Sequence, residues 1–230
     1  MLGTNSVRKQ TLGSGESLWV QEVFYSIQGE GPLSGHPAVF VRLAGCNLRC
    51  YWCDTEFESS SWCPDLGELL AQVEACREPC CDLAVLTGGE PFRQNIRPLV
   101  EALLGKGWRV QIETSGSLWV DLPEDPRLWI VCSPKTARLD SRLARRVTAY
   151  KYVIAAGETD EVDGLPAAST QTRGRRARLA RPASQAKIYV TPRDDFDSKR
   201  NEENLRACAD VSLRHGYILN VQVHKLLGLR

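Results

Sequence analysis

The stretch AVFVRLAGCNLRCYWCDT, residues 38–55, runs from a β-rich segment straight into three cysteines, Cys46, Cys50 and Cys53, with no fourth close by. A structural zinc site closes its tetrahedron with four ligands, and a cubane iron–sulfur cluster has four irons to hold. Three thiolates on such a cluster leave one iron without a protein ligand, an open position where a substrate or cofactor can bind the metal. The competing reading is zinc, with Cys63, His36 or Cys76 as fourth ligand. Structural zinc ligands usually come as two short knuckles, and no second knuckle matches the first.

Outward from this stretch, β-rich runs alternate with segments of helical period. The strand candidates after residues 38–45 are 83–87, 109–114, 129–133, 149–155, 186–191 and 218–224. Helices are expected over 65–78, 95–107 and 198–216, with a shorter one in SRLARRV (141–147). In the 198–216 helix, Asp197 or Ser198 can cap the start, and Leu205, Ala209 and Leu213 share a face. Strand–helix alternation predicts an α/β fold with a parallel sheet covered by helices. The tips that follow successive strands are polar, and two of the five carry glycine: CNLRCYWCD, TGGEP, TSGS, SPK and TPRDD. In parallel α/β architectures that carboxyl edge is where ligands bind, so one composite site built from many loops is expected.

The 230 residues suit one domain, over 21–230, preceded by a disordered tail over 1–20. A formal net charge of +1 gives no bulk argument for nucleic acid or membrane, and no apolar run is long enough for a membrane helix. Of the nine cysteines, the closely spaced triplet points to metal or catalytic chemistry in a reducing cytoplasm, and the other six are read as buried small hydrophobes or inert thiols. CREPCC (76–81) is expected to be a loop with inert thiols. Residues 157–185 break the rhythm and read as an irregular, solvated, mobile basic insertion, with Arg173, Arg175, Arg176, Arg178 and Arg181 near its end.

Two further features narrow the chemistry. In TGGEP (87–91), adjacent glycines let a ligand approach the backbone closely, and Glu90 is a candidate acceptor for an ammonium. Arg42 lies inside a strand on the same side as Phe40, opposite Val39, Val41 and Leu43. Facing the interior, its guanidinium needs an anionic partner such as a substrate carboxylate. The alternative is a surface arginine on an edge strand.

The CxxxCxxC spacing followed by a GGE motif after the next strand resembles the signature of radical S-adenosylmethionine enzymes. With FYSIQGEG, IETSGS, CSPK and VQVHKLLG added, the chain from about residue 21 onward is similar to the 7-carboxy-7-deazaguanine synthase family, least so across 157–185. That resemblance implies a partial (β/α) barrel, a [4Fe-4S] cluster, S-adenosyl-L-methionine and Mg²⁺. It implies conversion of 6-carboxy-5,6,7,8-tetrahydropterin to 7-carboxy-7-deazaguanine with loss of ammonia, in queuosine and 7-deazapurine biosynthesis. It also implies a homodimer fed by an electron donor such as flavodoxin or ferredoxin.

Carried over by motif, Cys46, Cys50 and Cys53 hold the cluster and Thr55 binds Mg²⁺. The cofactor site takes Trp52, Cys53, Asp54, Gly89, Ser133, Pro134 and Lys135, with Thr191, Pro192, Arg193 and Asp194 where the family often has a Gln-Pro pair. The substrate site takes Ile27, Gln28, Gly29, Glu30, Arg42, Thr87 and, at the chain end, Arg230. The rival enzyme is a glycyl-radical activase, which shares the triplet and the GGE motif. The rival of another class is a non-catalytic zinc-binding module.

Overall fold

The structure, a computed structural model, describes residues 3–171, 178–182 and 185–229. Eight strands form one sheet in sequence order: β1 (Val20–Ile27), β2 (Pro37–Leu43), β3 (Leu83–Gly88), β4 (Arg109–Thr114), β5 (Leu128–Cys132), β6 (Ala149–Ile154), β7 (Lys187–Pro192) and β8 (Ile218–Leu219). β1 runs antiparallel to β2 and every later pair is parallel. The helices are α1 (Leu66–Cys76), α2 (Arg97–Gly105), α3 (Ser141–Ala144), α4 (Ser198–His215) and α5 (Val223–Leu226). Among the described residues, no helix is long and apolar enough to cross a membrane.

Strand parity divides the sheet into two faces. Val39, Val41 and Leu43 of β2 join Val110 and Ile112 of β4 and Leu69, Val73, Leu99 and Leu103 of the helices in the main core. The other face carries two small apolar clusters, one around Leu33, Ala38, Leu83 and Val85, the other of Val131, Ala149 and Tyr189. Beyond these clusters, toward the strand carboxyl ends, that face turns polar.

The turn after β1 folds into this inner face. Gln111 Nε2 donates to Glu30 O at 3.3 Å, so the turn sits over the middle of β4. Asn220, just past β8, ties the far edge of the sheet to it: Gly31 N donates to Asn220 Oδ1 at 2.6 Å, and Asn220 Nδ2 donates to Gly29 O at 2.9 Å. Among the described residues β1 and β8 do not pair, and this buried asparagine links the two edges of the sheet.

Local signals explain where the helices sit. Asp65 starts α1 with a reciprocal capping box, Glu68 N to Asp65 Oδ1 at 2.8 Å and Asp65 N to Glu68 Oε2 at 3.1 Å. Asp197 caps α4, and Gly216 ends it in the left-handed region at φ 71°. The buried residues of α4 are Asn204, Cys208 and Val211, while on the face shared by Leu205, Ala209 and Leu213 the last is 86% exposed. The cause is polar. Asn204 Nδ2 donates to Arg193 O and Asp195 Oδ2 at 2.9 Å each, and its Oδ1 accepts from Ala156 N at 2.9 Å, which turns that side inward.

Two regions differ from expectation. The segment before β1, read as a disordered tail, is laid along the molecule: Arg8 N donates to Cys46 O at 2.8 Å, and Gln10 Nε2 to Phe92 O at 2.7 Å. Leu18 is buried at its end. The crossover between β6 and β7 is irregular, but its described parts are packed: Leu165, Leu179 and Ala180 are buried, and Arg181 Nε reaches Asp163 Oδ2 at 2.6 Å. Arg178 pairs with the same carboxylate at 3.6 Å, whereas Arg173, Arg175 and Arg176 lie outside the described residues.

Candidate active site

Register fixes the floor of the site. Arg42 of β2 is aligned with Thr87 of β3, and two residues on from the Val85–Gln111 pair stands Glu113 of β4. In a parallel ladder, aligned residues present their side chains on one face. These three border a cavity of about 450 Å³, with Lys151 of β6, Gln28 and Glu30 of the β1–β2 turn, and the cysteine loop above them. A space of that size suits a small ligand.

Cys46, Cys50 and Cys53 all line this cavity and are each half-buried. Their loop is held by backbone bonds, Cys53 N to Cys50 O and Tyr51 N to Thr170 O, both at 3.1 Å. The N-terminal segment straps it from outside: Asn5 Nδ2 donates to Leu48 O at 2.9 Å and Arg49 Nε to Asn5 O at 2.7 Å. Burial pushes the Cys46 thiol up to about 12 and the Cys53 thiol up to about 11. Thiols held that high become thiolates only when a cation compensates the charge, and iron is such a partner for soft sulfur donors. The donor set therefore fits an iron–sulfur cluster. A zinc site would need a fourth protein ligand, and the candidates Cys63, His36 and Cys76 lie off the cavity.

The TGGEP turn behaves differently from its first reading. A Cβ on Gly88 would collide with the backbone of Leu43, and one on Gly89 with that of Gly45. The glycines thus let this turn press against the start of the cysteine loop, with Gly89 N to Leu43 O and Glu90 N to Gly45 O both at 3.1 Å. Glu90, expected to accept from an ammonium, is buried and satisfied by protein. Thr114 Oγ1 donates to it at 2.7 Å, Ser115 N at 2.8 Å, Ser115 Oγ at 2.6 Å and Phe92 N at 3.1 Å. Its role here is to lock the loop after β3 to the loop after β4.

Lys151 is the largest feature the sequence left unassigned. Its ammonium bonds Glu113 Oε2 at 2.8 Å and also Glu30 Oε2, while Gln222 Nε2 donates to Glu30 Oε1 at 2.8 Å. Burial opposes the Glu30 charge, but Lys151 and Gln222 outweigh it and hold the carboxyl below its ordinary range. Burial likewise opposes the Lys151 charge, and Glu113 and Glu30 outweigh it, so the ammonium stays protonated far above its ordinary value. A lone lysine between two tyrosines in AYKYVIA was the available signal. Alternation places it opposite Tyr150 and Tyr152, which are core residues.

Arg42 faces the cavity as read, but it already has a partner. Glu22 of β1, aligned with it in the antiparallel register, accepts from Arg42 Nε at 2.8 Å, and the guanidinium carbon lies 5.4 Å over Phe24. On the opposite wall, Lys135 Nζ donates to Ser133 O at 2.9 Å and lies 5.8 Å from the Trp52 ring. Desolvation pushes the Lys135 ammonium down. The mouth is crossed by the chain end: Lys225 Nζ bridges Asp54 Oδ2 at 3.0 Å and Asp194 Oδ2 at 2.9 Å, and His224 and Leu229 line the cavity.

Of the residues expected in the site, Gln28, Glu30, Arg42, the three cysteines, Trp52, Asp54, Thr55, Thr87, Gly89, Ser133 and Lys135 border this one cavity. Ile27, Gly29, Pro134, Thr191, Pro192, Arg193 and Asp194 do not. Gly29 packs under the His224 ring, where any Cβ would overlap it. Arg193 is buried in ion pairs with Glu158 and Asp195, at 2.9 and 2.8 Å. With Asp194 it borders an adjoining open depression that shares Trp52 and Cys53 with the main cavity. Arg230 lies outside the described residues.

No family model matches the chain. It is 60% identical over 234 aligned positions to a protein of Rhodospirillum rubrum named 7-carboxy-7-deazaguanine synthase, with all of both chains covered. It is 35% identical to one of the same name from Rickettsia prowazekii, covering all of this chain and 96% of the other. In fold it matches the crystal structure of QueE from Escherichia coli with a TM-score of 0.64, covering 90% of this chain and 94% of that one at 23% identity. Full-length identity of this order, over a cavity that unites the cysteine triplet with Arg42, Glu30 and Thr87, means that the chain belongs to the 7-carboxy-7-deazaguanine synthase family.

Proposed function

We propose that the cavity converts 6-carboxy-5,6,7,8-tetrahydropterin to 7-carboxy-7-deazaguanine with loss of ammonia, in queuosine and 7-deazapurine biosynthesis. The observation that carries this reading is the shared cavity: three thiols on one wall, and on its floor an array of carboxylates and cations. Cys46, Cys50 and Cys53 would hold a [4Fe-4S] cluster, which would supply the electron for reductive cleavage of S-adenosyl-L-methionine. Trp52, Ser133 and Lys135 would flank that cofactor, and Thr55 beside Asp54 would bind Mg²⁺, a cation that seeks oxygen ligands. Flavodoxin or ferredoxin is the proposed electron donor, in the cytoplasm, and a homodimer the proposed assembly.

The protein's own contribution is orientation. Glu30 and Glu113, held by one buried ammonium, present fixed acceptors to ring N–H groups of a pterin. Arg42 offers its guanidinium to the substrate carboxylate from the opposite side, braced by Glu22. Preorganised groups of this kind cost no rearrangement when substrate arrives.

Anaerobic incubation of iron-reconstituted protein with the tetrahydropterin, S-adenosyl-L-methionine, Mg²⁺ and reductant tests the proposal. The deazaguanine mass is expected, and its absence from cluster-loaded protein would reject it. In the same assay Arg42→Met should lower kcat/KM about tenfold or more, as expected for losing a charged hydrogen bond of about 1.5–3 kcal/mol, with iron content unchanged.

A further inference from the structure

The irregular crossover between β6 and β7 reaches the cysteine loop at one point. Thr170 Oγ1 lies 3.0 Å from Cys50 Sγ as donor, and Gln171 Nε2 donates to the same sulfur at 3.3 Å. The other two cysteines have no such pair of side-chain donors among the described residues. Cys46 Sγ accepts from the backbone N of Leu48 at 3.4 Å, and Cys53 Sγ faces Thr55 O at 3.7 Å. The contact is not a chance touch of surface groups. Thr170 is only 4% exposed, and the backbone joins the segments as well, Tyr51 N to Thr170 O at 3.1 Å, while Arg49 N donates to Gln171 Oε1 at 3.1 Å.

The proton inventory closes on Cys50. A threonine hydroxyl has one proton, and its two acceptors here are Cys50 Sγ and, at 3.3 Å, Lys135 O. A metal-bound thiolate carries more negative charge than a peptide carbonyl and lies nearer, so it takes the proton. The Gln171 amide has two protons, one for Cys50 Sγ and one for Thr170 Oγ1 at 2.9 Å. The amide therefore polarises the very hydroxyl that donates to sulfur, and both donors converge on one ligand.

On this basis, and resting on the cluster reading above, we infer that Thr170 and Gln171 raise the reduction potential of the cluster by donating two hydrogen bonds to Cys50. Adding an electron increases negative charge on the sulfurs, so donors aimed at a ligating sulfur stabilise the reduced form more than the oxidised one. Both are positioning residues: they touch the ligand rather than the substrate.

An electron-paramagnetic-resonance titration with dithionite tests this on full-length, anaerobically reconstituted protein. Thr170→Val, Gln171→Leu, the double variant and Thr170→Ser are compared with wild type, with iron and sulfide measured for each. The double variant is expected to lower the reduction equilibrium constant about tenfold, which is about 59 mV for one electron. Each single variant should carry part of that shift, and Thr170→Ser, which keeps the hydroxyl, should restore the wild-type value. Single variants serve if the double variant fails to hold iron. Fully loaded variants with an unchanged or raised midpoint would overturn the inference while leaving the cluster reading intact. Wild-type protein that takes up no cluster would overturn both, and that is seen before any variant is compared.

Discussion

Cys50→Ala protein, reconstituted without oxygen, is expected to lose the brown thiolate-to-iron absorbance and to show turnover reduced at least about a thousandfold. Radical chemistry of this kind has no slow route around its cofactor, and enzymes supply accelerations of about a millionfold or more over the uncatalysed reaction. With only Cys46 and Cys53 left, two irons lack protein sulfur in a wall that already resists thiolate formation by burial. Cys63→Ala is the control. Cys63 is exposed and off the cavity, so that variant should keep its iron and its turnover. Equal loss from both variants would bring a four-cysteine metal site back into contention. The measurements are iron and sulfide per chain and product by mass spectrometry.

Lys151→Met should be the most damaging change to stability. It leaves Glu30 and Glu113 facing each other in the sheet interior without their shared cation, a situation that costs about 3–5 kcal/mol when one partner of a buried pair is removed. The urea midpoint should fall accordingly. Adding Glu30→Gln and Glu113→Gln should recover much of the loss, because neutral amides need no cation there.

The pH dependence follows from the directions of the two shifts. Glu30 is depressed in the folded state, so its contribution is present above the ordinary carboxylate value of about 4.3 and is lost as pH falls through its folded value. Lys151 is raised, so its contribution is complete below the ordinary lysine value of about 10.4 and is lost as pH rises through its higher folded value. The stability gap between wild type and Lys151→Met should therefore be widest between about pH 5 and 10. It should narrow in acid as the stranded carboxylates protonate. A gap independent of pH would mean that Lys151 acts by packing alone.

The sequence was most readable where a feature depends on spacing along one strand or loop. The cysteine triplet, the TGGEP turn and the inward face of Arg42 all depend on such short-range patterns, and each borders the cavity. Partners brought in from elsewhere were not readable. Glu22 meets Arg42 only through the antiparallel register across the 28–36 turn, and Glu30 meets Lys151 over a separation of 121 residues. Gly89 was read as room for a ligand, whereas the structure uses it for the chain's own backbone at Gly45. The N-terminal segment escaped because it is held by single hydrogen bonds and isolated bridges, which leave no periodic signature. The β8 region was overread for the opposite reason. ILNVQVH has strand-like alternation, but pairing stops at Leu219, Asn220 ties the turn instead, and Val223 begins a short helix.

In the proposed function, Cys46, Cys50 and Cys53 would cap three corners of the cluster and leave the fourth for the sulfonium cofactor. Pulsed electron-nuclear resonance on reduced, oxygen-free protein, with ¹⁵N in the amino group of S-adenosyl-L-methionine, addresses that corner. A strong nitrogen coupling that appears with the cofactor is the expected result. A cluster signal that ignores the cofactor, or protein that assembles no cluster at all, would contradict it.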